Sequence, residues 1–121
     1  MKRGFTLCAV SAAVLSLTSV VARTTSAQVG PHVVEVTAKR FGFVPGEITL
    51  KVNQPVVLVL KSTDVAHGLK FSELNLSVKF DKAHPTELRF TPEKTGTFVG
   101  HCSVFCGSGH GTMTLTLLVM E

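Results

Sequence analysis

The chain has little of what most catalytic and architectural classes require. No sustained helical stripe of apolar residues runs through its 121 residues, which argues against a helix bundle, and no internal repeat or low-complexity tract suggests a solenoid or a disordered array. Paired carboxylates, a nucleophile beside a base and a phosphate-cradling glycine loop are all missing, so hydrolysis and phosphoryl transfer have no footing. Tryptophan is absent and cysteine occurs three times.

Net charge is also scarce once the chain is divided. Lys2 and Arg3, the apolar stretch from Phe5 to Ala22, and the small residues Thr25-Ser26-Ala27 before Gln28 have the form of an export signal over residues 1–27. Residues 28–121 are then the single mature domain. An uncleaved membrane anchor is the competing reading, because the run approaches the ~20 apolar residues that span a bilayer, although its many small and hydroxylated residues favour cleavage. The +4 of the whole chain falls with Lys2, Arg3 and Arg23 to nine basic against eight acidic side chains, a net of +1. So nearly neutral a domain has no electrostatic case for nucleic acid as a partner. Cys8 leaves with the segment, where it reads as a small apolar filler. The expected location is periplasmic or otherwise extracytoplasmic, with membrane contact only through an uncleaved leader.

What the chain does carry is strand pattern. Val33 to Lys39 alternates as VVEVTAK, Glu47 to Val52 as EITLKV, and Val56 to Leu60 is the continuous VVLVL of a buried strand. Shorter candidates follow at 68–71, 76–80, 86–90 and 96–100, and Thr112 to Met120 alternates again. Pro45-Gly46, Asn53-Gln54-Pro55 and Pro92 to Gly96 punctuate them as turns. Short strands at spacings of roughly 8–12 residues predict an all-β fold, an antiparallel Greek-key β-sandwich with loops at its two ends.

One loop concentrates metal chemistry. Residues 101–113 read HCSVFCGSGHGTM and supply two thiols, an imidazole and a thioether at Cys102, Cys106, His110 and Met113. Soft sulfur selects copper(I), zinc or iron–sulfur clusters, imidazole suits copper and zinc, and a thioether is most often a weak axial ligand of copper. Met113 therefore tips the choice toward copper. A Cys102–Cys106 disulfide is the alternative in an oxidising compartment, but a staple has no need of His110 and Met113 on the same loop. Met113 also heads the face of the last strand that carries Leu115, Leu117 and Val119, so core packing is its alternative role. Gly107, Gly109 and Gly111 are expected to let the backbone turn closely around the metal. A further strong ligand has to come from elsewhere, and His67, in STDVAHGL after the buried run, is the best candidate. His101, beside Cys102, reads as a solvent residue, with a hydrogen bond toward the site as its alternative; His84 reads as a loop residue and His32 as at most an adventitious metal contact.

From about Val33 to its end the chain resembles a cupredoxin. The spacing Cys102-x3-Cys106-x3-His110-x2-Met113 with His67 upstream is similar to the dinuclear CuA domain of cytochrome c oxidase subunit II and of nitrous oxide reductase, and FGFVPGEITLKV and STDVAHGL share the likeness. The resemblance implies two copper ions bridged by the thiolates of Cys102 and Cys106. His67 would bind one copper and His110 the other, with Met113 a weak ligand on one metal and the backbone carbonyl of Val104 facing the second. Bridging thiolates spread one electron over both coppers, so each bond changes little on reduction, as a fast electron carrier needs.

Two departures from that family bear on function. Val104 stands where subunit II usually has a glutamate whose carboxylate reaches an additional metal at a subunit interface, so that role is not expected. With no tryptophan to serve as an aromatic gateway for electrons, no acidic patch and no transmembrane hairpin ahead of the domain, the expectation is a free-standing, monomeric electron carrier. It is not an enzyme, and its partner is a redox protein, a cytochrome or an oxidase. Two alternatives stay open: a copper(I) delivery or storage protein for a terminal oxidase, and a mononuclear blue-type site at His67, Cys106, His110 and Met113. Delivery is weakened by the mature chain's having only Met113 and Met120 as methionines.

Overall fold

Runs of Val, Thr and Leu build strands, most of which bury one face, and nine of them form among the described residues. The computed structural model describes residues 30–121 together with Gly4 and Ala22. The export segment expected over residues 1–27, with Cys8, otherwise lies outside the described residues. The strands are β1 (His32–Lys39), β2 (Gly42–Val44), β3 (Glu47–Lys51), β4 (Val56–Ser62), β5 (His67–Phe71), β6 (Leu76–Phe80), β7 (Thr86–Phe90), β8 (Gly96–His101) and β9 (Thr114–Met120). One sheet has the order β2-β1-β4-β7 and the other β3-β9-β8-β5-β6. This is the β-sandwich that the strand pattern predicts.

The expectation of a wholly antiparallel sandwich needs correction. β1 runs parallel to β4, and β3 parallel to β9, while the other pairs are antiparallel. The reason is connectivity: after β1 the chain folds back as β2, crosses to the second sheet as β3 and returns beside β1, and such a crossover delivers a parallel neighbour where a hairpin would deliver an antiparallel one. Period-two alternation is the same for both pairings, so the residue pattern does not distinguish them. The sequence also conceals the three-residue β2, and it starts the last strand early, since His110–Thr112 form a 3-10 turn before β9.

The core lies between the sheets. Val56, Leu58 and Leu60 of β4 face Leu69 and Phe71 of β5 and Leu115, Leu117 and Val119 of β9 within one buried cluster. β8 comes very close to this layer: a Cβ on Gly100 would lie 2.6 Å from the Phe71 ring and 2.9 Å from Leu69 Cδ1. Gly100→Ala is accordingly expected to cost ~1–3 kcal/mol through overpacking, read as a lower urea midpoint with an unchanged slope. The C-terminal ends of β1, β4 and β8 and the N-terminal ends of β5 and β9 meet at one pole. His32 opens β1 at the other pole, paired with Val56, away from the 101–113 loop.

Candidate metal centre

His67 opens β5 directly after a turn that fixes its ring. Ser62, ending β4, donates its hydroxyl to the Val65 carbonyl, and the Asp64 carboxylate accepts the backbone N–H groups of Arg40 and Val65 at 2.7 Å each. Asp64 Oδ1 also lies 2.7 Å from His67 Nε2. Burial pushes the Asp64 carboxyl up, but the Arg40 N–H, the His67 ring and the Val65 N–H outweigh it and hold the group well below the ordinary carboxylate range. An ionised carboxylate makes Nε2 the protonated nitrogen, so the Nδ1 lone pair faces inward. That atom is 3.9 Å from Cys102 Sγ, and the ring is fully buried.

The pleat at the end of β8 turns His101 to solvent and Cys102 into the core. Cys102 donates its backbone N–H to the Met113 carbonyl, which joins the two ends of the loop, and Ser103 donates its own to the Gly68 carbonyl, which ties the start of the loop to β5. Within it, Cys102 Sγ lies 3.2 Å from the Val104 carbonyl oxygen and 3.8 Å from Cys106 Sγ. Cys106 Sγ in turn lies 3.8 Å from His110 Nδ1 and 3.8 Å from Met113 Sδ. Donor atoms of His67, Cys102 and Cys106 all fall within 4.8 Å of one another. Thus His67, Cys102, Val104, Cys106, His110 and Met113 converge, with His110 and Met113 on the Cys106 side. His84 is far from this in character, an exposed ring against Asp81.

Two of the three loop glycines answer to a steric need. Gly107 has φ +140°, a conformation that side chains rarely adopt, and a Cβ on Gly109 would lie 2.4 Å from Phe41 Cγ. Gly111 faces open space. The residues that the sequence does not flag are therefore Arg40 and Phe41, between β1 and β2. Phe41 packs on the loop glycines, and Arg40 Nε–H donates to the Cys106 carbonyl at 2.7 Å. No local spacing signals a contact across 66 positions.

The donor set fits a soft cation. Two sulfurs 3.8 Å apart are well beyond a disulfide bond of about 2.05 Å, and both thiols are free and buried. Two thiolate–metal bonds of about 2.3 Å span up to ~4.6 Å, and one such bond with a nitrogen–metal bond of about 2.0 Å spans up to ~4.3 Å. Each sulfur–sulfur and nearest sulfur–imidazole distance lies inside those limits. Burial and then the neighbouring Cys102 thiol push the Cys106 thiol above its usual range, with Arg40 pulling weakly the other way. Such a thiol resists ionising alone, and a bound cation supplies the charge that lets it do so.

The family model described as "Cupredoxin-like domain" matches residues 7–115. The chain belongs to the cupredoxin-like family. Among cupredoxin-like relatives, cytochrome c oxidase subunit 2 of Thermus thermophilus is 31% identical over 96 residues, which cover 78% of this chain and 71% of that protein. In a longer subunit 2 of the same organism the matched region is 57% of the length. The fold also superimposes on the periplasmic domain of subunit II of cytochrome oxidase from Bradyrhizobium japonicum, with a TM-score of 0.68 and 21% identity over 74% of this chain and 84% of that one. Auracyanin A, a blue copper protein of Chloroflexus aurantiacus, superimposes with a TM-score of 0.61 at 18% identity, over 75% of this chain and all of that one. These two likenesses concern the cupredoxin fold.

Proposed function

We propose that residues 28–121 form an exported, extracytoplasmic copper protein that transfers electrons through a dinuclear CuA-type centre. The observation that carries this reading is the pairing of two buried thiols 3.8 Å apart, each with its own inward-facing imidazole nitrogen, 3.9 Å from Cys102 and 3.8 Å from Cys106. A mononuclear site has use for one cysteine and leaves the other buried without a task. The similarity to oxidase subunit 2 at 31% identity supports the same choice.

Bound copper supplies a one-electron couple. The chain's residues hold the ligand cage still: Asp64 orients His67, the Met113 carbonyl anchors Cys102, and strand β9 sets Met113 in the core. A cage held by packing and hydrogen bonds moves little between oxidation states, which lowers the barrier to transfer. His110 is half-buried and Phe105, 79% exposed, lies with its ring centre 5.7 Å from the His110 ring, so the redox partner is proposed to approach on this side. Metal analysis with electron paramagnetic resonance tests the proposal. Two coppers per chain with hyperfine coupling to both nuclei is expected; one copper with coupling to a single nucleus would instead identify a blue-type site.

Met113 separates packing from ligation. Its side chain is fully buried, and Met113→Leu nearly conserves volume, so stability should change by less than ~1.5 kcal/mol. Loss of an electron-donating thioether from the oxidised metal should raise the reduction potential while both coppers stay bound. An unchanged potential would reduce Met113 to a core residue.

A further inference from the structure

The turn between β1 and β2 touches both halves of the centre. Through its backbone N–H, Arg40 holds Asp64 Oδ2 at 2.7 Å, and Asp64 Oδ1 holds the His67 ring at 2.7 Å. Through Nε–H, the same residue holds the Cys106 carbonyl at 2.7 Å. Beside it, Phe41 fills the space that side chains at Gly107 and Gly109 would need. β1 is anchored along its length to β4 by seven register pairs, so the turn projects from a fixed strand.

We infer that Arg40 is a positioning residue for the metal centre: it ties the loop bearing Cys106 and His110 to the Asp64–His67 arm, so the separation of the two imidazoles is set before metal binds. This rests on the dinuclear reading for its consequence but not for its geometry. The loop and the His67 turn come from different connections of the sandwich, and β5 meets β8 through the single register pair Lys70–His101. The start of the loop is held to the His67 arm by the Ser103 N–H on the Gly68 carbonyl at 3.3 Å, and Arg40 adds a second hold at Cys106, three residues further along. A guanidinium suits the task because its planar Nε–H has a fixed direction and its charge strengthens the bond to a carbonyl.

The test combines a wild-type and a variant measurement. In copper-free wild type, the Arg40 Nε–H should exchange with solvent at least ~10-fold more slowly than that of Arg89, whose exposed guanidinium pairs with exposed Glu87. In the copper-loaded protein, both Arg40→Met and Arg40→Lys should lose copper to a chelator ~10-fold faster than wild type, about the factor one charge-assisted hydrogen bond is worth. Their copper hyperfine pattern should change as well. Lysine keeps the charge and lacks Nε–H, so an Arg40→Lys protein that behaves as wild type would overturn the inference, as would an Arg40 Nε–H that exchanges as fast as that of Arg89. The wild-type measurement needs no variant and decides the matter even if one fails to fold. If wild type takes up no copper pair, the dinuclear reading falls by itself, and the exchange comparison still judges Arg40.

Discussion

Cys102→Ser is expected to hold one copper against the two proposed for the wild type, and to lose coupling to a second nucleus in the resonance spectrum. The residue left behind explains why binding is not abolished. Cys106 Sγ keeps His110 Nδ1 and Met113 Sδ at 3.8 Å, and its donor atom stays within 4.8 Å of that of His67. These are a thiolate, two imidazoles and a thioether, the set that suits a mononuclear blue-type site. Cys106→Ser should be far more damaging. It leaves Cys102 with His67 and the Val104 carbonyl and strands His110 and Met113 without the sulfur they adjoin. Two copper-binding variants of equal stoichiometry would contradict this asymmetry, and a Cys102→Ser protein that still binds two coppers would refute the bridging role. Serine is nearly isosteric with cysteine, so both variants should keep the sandwich, which far-ultraviolet circular dichroism checks.

The ligand loop was legible in the sequence because four donors of distinctive chemistry fall within twelve residues, Cys102 to Met113. His67 was legible for a weaker reason, its place where a buried strand ends. The strands with strong alternation, β1, β3, β4 and β9, were also readable, since side-chain period is fixed by the pleat. Sheet order was not, because parallel and antiparallel neighbours ask for the same alternation. Arg40 illustrates the other limit: arginine at a strand end usually means solvent, and the carbonyl it reaches in Cys106 is a backbone atom that every residue owns. Gly109 needs its missing side chain only because Phe41 lies over it, a fact of the packed molecule. Val104 is the converse case. The inward approach of its carbonyl to Cys102 Sγ at 3.2 Å depends on loop shape and not on the valine side chain, so a substitution there can change an interface while leaving the cage intact.

The largest effect on stability is expected from Phe71→Ala, and copper should partly reverse it. Phe71 is 1% exposed at the end of β5 and lies against Gly100 of β8, two residues before Cys102. Removing the ring leaves a cavity under the strand that launches the metal loop, at a cost of ~3–5 kcal/mol. A domain of this size has roughly 5–15 kcal/mol in all, so the copper-free variant should melt more than ~12 °C below the copper-free wild type. Metal binds the folded cage, in which five side chains from two separate segments meet, and gains much less from an unfolded chain that offers at most the local loop. At free copper a thousandfold above its dissociation constant, binding adds ~4 kcal/mol to the folded state, enough to offset most of the cavity. The copper-loaded variant is therefore expected to regain most of its lost melting temperature, whereas a variant whose melting is insensitive to copper would mean that the cage no longer assembles over the cavity. Gly100→Ala presses on the same ring from the other side, so the two substitutions combined should be less harmful than their separate costs imply, because the added methyl enters the space the ring vacates.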